Sequence, residues 1–388
     1  MLNHYLGVED MKISDITCYP VWNGHRNFLF VVVDTDEGLY GVGEAGLTGR
    51  ELAVMGTIDH FKPMLIGQDP GRIEYIWQVL SRGGFFPHSK IAGSAIAAID
   101  IALWDIKGKA LGVPVYDLLG GRVRDKVVCY CHLGDNRSPE RLVAVAQERL
   151  AEGWKFLRWA PPTDGDILEP GRAIRKSIAQ WRAMREAVGD EVELCFDIHT
   201  RLSPAEAILL CREVEPFRPY FMEDPLRSES PQAYHLLREK VNVPLAVGEQ
   251  WCSKWEFREL IDHDLMDYAR VDLCIAGGLT EGKKIAGWCE GHYIDMAVHN
   301  PLGPVATAAC VQFNLAVPNF GVQEQPSRPG LVLNDVVPNQ PVWEDGYILA
   351  PTAPGLGIEF DRKAAAAYPF QMIELPHLHR EDGGFTNW

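Results

Sequence analysis

The sequence predicts an α/β protein: a modified (β/α)8 TIM-type barrel with an N-terminal α+β capping domain. Short apolar runs alternate strictly with helical runs from about residue 126 onward, and eight such runs are present. An acidic residue or a histidine closes six of them, at steps of 26, 26, 23, 27 and 25 residues: Asp197, Glu223, Glu249, Asp272, His299 and Glu324. One strand, one helix and two short loops occupy about 25 residues, so this spacing is typical of a β/α barrel.

The segment 1–125 has a different pattern. Two β-rich runs, 27–34 and 39–46, are joined by a sequence typical of a hairpin turn. Helical runs follow at 51–61, 71–81 and 91–111. This order predicts a small α+β capping domain and not half of a barrel.

The segment 126–340 is predicted to form the barrel and to carry the active site. Its eight strand candidates are 127–133, 155–159, 193–199, 220–225, 244–250, 268–272, 294–300 and 320–325. A helical run is expected after each strand. Ser138, Ser203 and Ser230 each precede a proline, which is typical of a helix start. The Gly- and Pro-rich segment 341–388 is expected to pack back on the capping domain.

Composition restricts the partners of this chain. The formal net charge of −16 argues against nucleic acid and against an anionic membrane surface. The first residues lack the basic and apolar regions of a signal peptide, and no apolar run reaches membrane-spanning length. Most of the nine cysteines lie in apolar stretches, as in proteins of a reducing compartment. We therefore expect a cytoplasmic protein that acts on a small molecule.

Three of the strand-end acids are candidate metal ligands. Residues at the carboxyl ends of neighbouring barrel strands converge on one mouth, so Asp197, Glu223 and Glu249 should lie together. Three clustered carboxylates repel one another unless a hard cation lies between them. An all-oxygen set favours Mg²⁺ over zinc, which prefers histidine and cysteine.

Asp272 and His299 are a candidate base pair, because they end neighbouring strands and a carboxylate raises the basicity of an imidazole. Such a base beside Mg²⁺ suits removal of a proton next to a carboxylate, with an enediolate as the product. Glu324, if protonated, is a candidate hydrogen-bond donor to that enediolate. His199 lies two residues beyond Asp197 and therefore points into the same mouth. Taken singly, an acid at a strand end is often a loop cap, and His199 could be an interior histidine.

At these residues the chain resembles the enolase superfamily, specifically its mandelate-racemase-like branch and most closely the D-galactonate dehydratase type of sugar-acid dehydratase. The resemblance covers nearly the whole chain. Its motifs are AIAAIDIALWDIKGKALGVPVYDLLGG (95–121), FDIHTR (196–201), FMEDP (221–225), AVGEQ (246–250), IAGGLTEGKKIA (275–286), HNPLGP (299–304) and VQEQ (322–325).

The resemblance implies a capping domain over a modified barrel, a bound Mg²⁺, a sugar-acid substrate and a homo-oligomer. It also implies four roles: metal ligands for Asp197, Glu223 and Glu249, a base dyad for Asp272 and His299, general acid for His199, and hydrogen bonding on the enediolate side for Glu324.

One departure from the family pattern separates the candidate reactions. Racemases of this branch end the second barrel strand with Lys-x-Lys, whereas this chain has Leu157-Arg158-Trp159-Ala160. Arg158 can bind and polarise a carboxylate but is too basic to remove a proton, and Ala160 cannot titrate. A two-base racemase is therefore disfavoured. A dehydratase is favoured, because His199 adds a proton donor for the departing 3-hydroxyl group.

Substrate specificity is expected to depend on loops of the capping domain, with His25, Arg26 and the stretch 85–88 as candidate contacts. Arg201 is either a surface charge beside a helix or a further substrate contact. Two other functions remain open. A sugar-acid epimerase or lactone cycloisomerase would need the base dyad but not His199, and a non-catalytic protein could use the same scaffold to bind metal.

Overall fold

The computed structural model describes residues 11–386. An antiparallel sheet and four helices form the N-terminal unit, with strands β1 (Ile13–Trp22), β2 (Asn27–Thr35) and β3 (Tyr40–Ala45) and helices α1 (Glu51–Leu65), α2 (Ile73–Arg82), α3 (Lys90–Leu111) and α4 (Val115–Leu118). The predicted hairpin and the three predicted helices are present. Strand β1 was not predicted. The apolar pattern of β1 is interrupted by Asp15, Thr17 and Pro20. The strand nevertheless pairs with β2 along its whole length.

Helix α3 lies directly on this sheet because glycines of β3 leave room for its backbone. A Cβ added at Gly43 would lie 1.9 Å from the carbonyl oxygen of Ala98, and one at Gly41 would lie 2.0 Å from that of Ala102. Small residues on both partners therefore fix how closely the helix approaches the sheet.

Eight parallel strands form the barrel: β4 (Lys126–His132), β5 (Phe156–Trp159), β6 (Glu193–Asp197), β7 (Phe221–Glu223), β8 (Leu245–Val247), β9 (Tyr268–Ala269), β10 (Asp295–Met296) and β11 (Gln323–Glu324). Seven helices connect them: α5 (Pro139–Ala151), α6 (Pro170–Val188), α7 (Pro204–Val214), α8 (Ala233–Lys240), α9 (Lys254–Asp262), α10 (Gly278–Glu290) and α11 (Pro304–Ala316). The predicted fold class is confirmed.

Short stretches of strand pairing close the barrel at its last strands. Strand β11 pairs in parallel with β4, and Met296 of β10 forms a parallel bridge with Phe320. Inside the closed barrel, buried side chains from six strands or strand extensions pack together: Tyr130, Cys195, Phe221, Ala246, Ala297 and Val322. This apolar layer fills the interior below the carboxyl-terminal mouth.

The expectation that a helix follows every strand is wrong for the eighth strand. After β11, the structure has an antiparallel pair, β12 (Trp343–Glu344) and β13 (Tyr347–Leu349), and then the four-residue helix α12 (Arg362–Ala365). Strand β13 pairs antiparallel with β4. The barrel is therefore modified at the seam where its first and last strands meet.

Two of the three predicted helix starts are confirmed. The Ser138 side chain accepts a hydrogen bond from the Arg141 backbone at the start of α5, and Ser203 forms a capping box with Glu206 at the start of α7. The third is wrong. Helix α8 begins at Ala233, two residues beyond Pro231, and is preceded by turns.

The segment after residue 340 contacts both parts of the molecule. Arg362 donates to Asp34 of β2 at 2.9 Å, and Asn27 and Gln371 exchange two hydrogen bonds. Arg380, by contrast, pairs with Glu169 beside α6 at 3.3 Å. The domain boundaries at 125 and 340 stay predictions.

All nine cysteines are free thiols, and eight of them are buried. Within residues 11–386, every helix is too short or too polar to cross a membrane.

Gly43→Ala should destabilise the N-terminal unit by about 1–3 kcal/mol, because the added methyl group meets backbone and not a mobile side chain. Urea unfolding followed by circular dichroism measures this loss. Gly56→Ala is the matched control. Gly56 is exposed in α1 with nothing within 4 Å of an added Cβ, so this change should stabilise by about 0.5–1 kcal/mol. Equal effects of the two substitutions would contradict the close approach of α3.

Candidate active site

The structure brings the six predicted strand-end residues to one mouth. Asp197, Glu223 and Glu324 are the last residues of their strands, and Asp197 is the register partner of Glu223. The remaining three, Glu249, Asp272 and His299, lie two or three residues beyond theirs. The strands themselves are short, so the functional residues stand on their carboxyl ends or just after them.

Three of these residues form a carboxylate cluster. Asp197, Glu223 and Glu249 each provide an oxygen, and the three oxygens lie within 4.8 Å of one another. Glu223 Oε2 and Glu249 Oε2 are buried and accept no hydrogen bond from the residues that the structure describes. Burial raises the pKa of Glu249 to about 8, and the charges of Asp224 and Glu223 add to this effect against that of His299. A cation would satisfy these oxygens, so the donor set fits Mg²⁺.

His299 lies beside this cluster and is oriented by Asp272. Its Nδ1 donates to Asp272 Oδ2 at 2.8 Å, which leaves Nε2 facing Glu249 Oε2 at 3.4 Å. Burial alone would lower the pKa of His299, but Glu249, Glu324 and Asp272 outweigh it and raise the pKa to about 9. Asp272 is itself fixed, because its other oxygen accepts from the Cys274 backbone at 2.7 Å. The pair has the geometry of a histidine–carboxylate base.

His199 and Arg158 lie on another side of the cluster. His199 Nε2 is 2.8 Å from Asp197 Oδ2 and 2.9 Å from a guanidinium nitrogen of Arg158, and Arg158 also pairs with Asp197 Oδ2. Burial lowers the pKa of His199 well below its usual value, and the charges of Arg158 and Arg201 lower it further. These effects disfavour the protonated imidazole that a general acid needs. Its predicted role stays a prediction.

The backbone at His199 adopts an uncommon conformation. His199 and Thr200 have φ angles of 53° and 56°, in the left-handed region that residues other than glycine rarely adopt. The His199 N–H donates to Asp197 Oδ1 at 2.8 Å, and the Thr200 N–H donates to the carbonyl of Asp224 at 2.7 Å. These bonds hold the histidine next to the first carboxylate of the cluster.

Arg270 was missed in the sequence and lies at the centre of the site. It is fully buried, and its guanidinium group donates to Glu223 Oε1 at 2.6 Å, to Glu324 Oε2 at 2.5 Å and to the Ala297 carbonyl at 2.6 Å. It binds one oxygen of Glu223 and leaves the other, Oε2, directed at the cluster. Arg270 therefore compensates charge and orients a candidate metal ligand at the same time.

Glu324 is surrounded by hydrogen-bond donors. It accepts from Arg270 and from the Asn300 backbone at 2.9 Å, and its Oε1 is 2.6 Å from His132 Nε2. Burial raises the pKa of Glu324, but the charges of Arg270 and His299 outweigh it and lower the pKa well below the usual value. This arrangement does not match the protonated form that the predicted donor role requires, and that role stays a prediction.

A cavity of about 180 Å³ opens between the capping unit and the barrel, next to His132 and Gln325. His25 and Arg26 line it together with His132, and their predicted contact with a substrate stays a prediction. Arg26 also donates to the Pro301 carbonyl at 3.3 Å. His132, at the end of β4, was not predicted as a site residue.

The other two candidate contacts lie elsewhere. Arg201 lines a separate cavity of about 330 Å³ that also includes Arg227 and Arg380. Burial lowers the pKa of Arg201 to about 10, and the charge of Arg158 contributes. Phe85 and Phe86 are 93% and 81% exposed and line neither cavity. The structure therefore does not bring Arg201 or the stretch 85–88 into one cavity with His25 and Arg26.

Glu44 connects the capping unit to the loop that follows His299. This buried side chain of β3 accepts hydrogen bonds from the backbone N–H groups of Gly303 at 2.6 Å and Ala306 at 2.8 Å, at the start of α11. Burial raises the pKa of Glu44 to about 8. The contact fixes the segment that carries the candidate base.

Two family models match the chain. Residues 22–120 match the mandelate racemase / muconate lactonizing enzyme N-terminal domain, and residues 141–364 match the enolase C-terminal domain-like family. The chain is 39% identical to a D-mannonate dehydratase from a Sphingomonas species, over 94% of this chain and 96% of that protein. It is also 39% identical to a D-galactonate dehydratase from Ralstonia nicotianae, over 97% of this chain and all of that protein.

Solved structures agree in fold. An enolase from Pantoea ananatis, with bound D-gluconate and Mg, superposes with a TM-score of 0.92 at 31% identity and covers 97% of this chain and 99% of its own. An enolase from Agrobacterium radiobacter, with bound Na and L-malate, gives a TM-score of 0.90 at 32% identity over the same shares of the two chains.

Arg270→Met should destabilise the protein by about 3–5 kcal/mol, because it leaves Glu223 and Glu324 buried without their cation. Urea unfolding in metal-free buffer measures the loss. Arg258→Met is the control, because it breaks an exposed ion pair with Asp262 and should change stability by less than about 1 kcal/mol. A loss at Arg270 no larger than that of the control would show that the buried pairs do not stabilise the barrel.

Proposed function

The chain belongs to the mandelate racemase and muconate lactonizing enzyme family of the enolase superfamily, and on this basis we propose that it is a Mg²⁺-dependent sugar-acid dehydratase. Such an enzyme removes the α-proton of an aldonate, eliminates the 3-hydroxyl group and forms a 2-keto-3-deoxy acid. The observation that carries the proposal is the position of the Asp272–His299 pair, whose free Nε2 faces the carboxylate cluster at 3.4 Å. A base and a cation site therefore share one mouth.

Asp197, Glu223 and Glu249 would hold the Mg²⁺ ion. When bound, the ion supplies positive charge that stabilises the enediolate formed by loss of the α-proton. Arg270 supports this site, because it donates a hydrogen bond to the other carboxylate oxygen of Glu223 and balances part of the negative charge. Removal of the ion should therefore affect both the reaction and the stability of the mouth.

His299 is the proposed base for the α-proton. Its Nδ1 donates to Asp272, so Nε2 presents a lone pair to the substrate when the imidazole is neutral. Asp272 then stabilises the imidazolium that forms. Asp272 is buried and the side chain of His299 is only 15% exposed, which limits the access of bulk water to the proton that is transferred.

His199 is the proposed general acid for the departing hydroxyl group. Hydroxide is a poor leaving group, so the C3–O bond breaks as the imidazolium form of His199 transfers a proton to the oxygen, and water and neutral imidazole result. The electron pair of the enediolate forms the C2–C3 double bond, and the resulting enol tautomerises to the keto acid. Arg158, which lies 2.9 Å from His199, is the proposed substrate-binding cation, because a guanidinium group is too basic to remove a proton.

Several observations favour dehydration over the alternatives. Ala160 leaves the second barrel strand without a second base, which a racemase or epimerase that exchanges protons on two faces would need. A lactone cycloisomerase would leave His199 without a chemical task. A non-catalytic protein would not need the oriented Asp272–His299 pair. The relatives named D-mannonate and D-galactonate dehydratase, and the neighbour with bound D-gluconate, support an aldonate as the substrate class.

We propose that the protein is a homo-oligomer, as its resemblance to the family implies, and that it acts in the cytoplasm, as its free buried thiols favour.

A screen of aldonates and aldarates with Mg²⁺, read out by formation of the 2-keto-3-deoxy product, tests the activity and identifies the substrate. A purified Mg²⁺-loaded protein that dehydrates no member of such a library would contradict it.

Mg²⁺ should be required for turnover and should raise the unfolding temperature. Ligand binding stabilises the folded state, and the stabilisation grows with the logarithm of the free ligand concentration. The unfolding temperature should therefore rise as Mg²⁺ is added. Asp197→Asn, Glu223→Gln and Glu249→Gln should each abolish both the shift and the turnover. Calorimetry of the metal-free protein with and without Mg²⁺ measures the first effect, and undiminished turnover after exhaustive chelation would refute the metal assignment.

The elimination should be anti. His199 and His299 follow the third and seventh barrel strands, which stand opposite each other in an eight-stranded barrel, so they should flank the substrate from opposite faces. His299→Asn should stop both α-proton exchange with D₂O and dehydration, whereas His199→Asn should stop dehydration and leave exchange detectable. Proton NMR in D₂O follows both processes. A His199→Asn variant that dehydrates at the normal rate would contradict this assignment.

A further inference from the structure

A second group of metal-ligating side chains lies outside the barrel mouth, on the helices that follow strands β7 and β8. His235 is near the start of α8, Glu259 is within α9, and His263 directly follows the last residue of α9. One ligand atom from each of the three residues lies within 4.8 Å of the other two. These residues share no contact with the carboxylate cluster of the mouth among the hydrogen bonds and ion pairs of the described chain.

The two histidines converge on one carboxylate oxygen. His235 Nε2 is 2.8 Å from Glu259 Oε1, and His263 Nε2 is 3.9 Å from the same oxygen. Glu259 and His263 are four residues apart and therefore lie on one face of α9. The two imidazole rings have their centroids 5.0 Å apart. An ordinary ion pair would need only one of the two histidines.

The distances suit a small cation with nitrogen and oxygen ligands. Ligands at about 2.0–2.2 Å from a tetrahedral zinc ion lie roughly 3.4 Å from one another. The observed separations of 2.8 and 3.9 Å are on either side of this value, so small side-chain rotations would bring all three atoms into range. The side chains of His235 and His263 are 48% and 54% exposed, which gives them the freedom to rotate.

The donor set also defines the class of ion. Two imidazoles and one carboxylate are ligands of Zn²⁺ and related transition metals, whereas Mg²⁺ prefers an all-oxygen shell. The same chain therefore has two donor sets of different chemistry. One is the buried oxygen cluster of Asp197, Glu223 and Glu249, and the other is the exposed nitrogen-rich group on α8 and α9.

We propose that His235, Glu259 and His263 form a second metal site, which binds Zn²⁺ with water in the fourth position. The bound ion links α8 to α9, two neighbouring helices of the outer ring. Because α8 and α9 follow the strands that lead to Glu223 and Glu249, the link stabilises the barrel wall beneath these residues without entering the mouth. This inference does not depend on the proposed dehydratase activity.

Zn²⁺ titration of the Mg²⁺-saturated protein against a chromophoric chelator tests the site. Wild-type protein should bind one equivalent of Zn²⁺ that excess Mg²⁺ does not displace. His235→Ala and His263→Ala should each weaken this binding by about tenfold or more, since loss of even an outer-shell partner costs roughly 10–100-fold. His60→Ala is the matched control, because His60 is an exposed histidine of α1 and should leave the binding unchanged.

A second measurement distinguishes this site from zinc binding in the mouth. The zinc equivalent should persist in Asp197→Asn, which removes a mouth carboxylate, and disappear in the double variant His235→Ala with His263→Ala. Zn²⁺ should also raise the unfolding temperature of wild-type protein and of His60→Ala but not of the double variant, whose folding is checked by far-UV circular dichroism. A double variant that keeps the zinc equivalent, or a wild type that binds none, would overturn the proposal.

Discussion

Repulsion among buried carboxylates is the constraint on which the rest of this structure depends. The barrel mouth places Asp197, Glu223, Glu249 and Glu324 in a space with little water, and these charges can remain there only with compensating cations. Arg270 provides one fixed positive charge between Glu223 and Glu324. Arg158 provides another beside Asp197, and a metal ion would provide the rest. The negative charges of Glu249, Glu324 and Asp272 also raise the pKa of His299, so the candidate base responds to the charge state of its neighbours in the mouth.

The capping unit takes part in this arrangement through its own buried acid. Glu44 reaches from β3 to the backbone at the start of α11, and Arg26 reaches from the turn after β1 to Pro301. Both contacts fall on the loop that follows His299. The position of the base therefore depends on the sheet of the capping unit as well as on the barrel strand that precedes it. A close contact between α3 and β3, set by Gly41 and Gly43, fixes that sheet in turn.

Periodicity alone predicted the barrel and the convergence of six residues, because a strand–helix repeat places each strand end at the same mouth. The rule that residues two apart share a face led from Asp197 to His199, and it would have led equally from Asp272 back to Arg270. What no pattern along the chain shows is which residues meet across the barrel. Arg270 bonds to side chains from the fourth and eighth strands, and that pairing follows from barrel closure. The missing helix after β11 had no local signature, since the Gly- and Pro-rich sequence there fits several structures.

The seam of the barrel has a consequence for how the protein is made. Strand β11 covers only two residues of β4, and the adjoining edge of β4 is covered by β13, at residues 347–349. The first barrel strand therefore obtains its full set of neighbours only from residues 323–349. During synthesis on the ribosome, β4 leaves the exit tunnel long before either partner exists, and its edge must wait unpaired while the 190 residues from 133 to 322 are added. Vectorial folding of this chain can assemble the wall of the barrel in order, but it can close the barrel only after β11 and β13 have been synthesised.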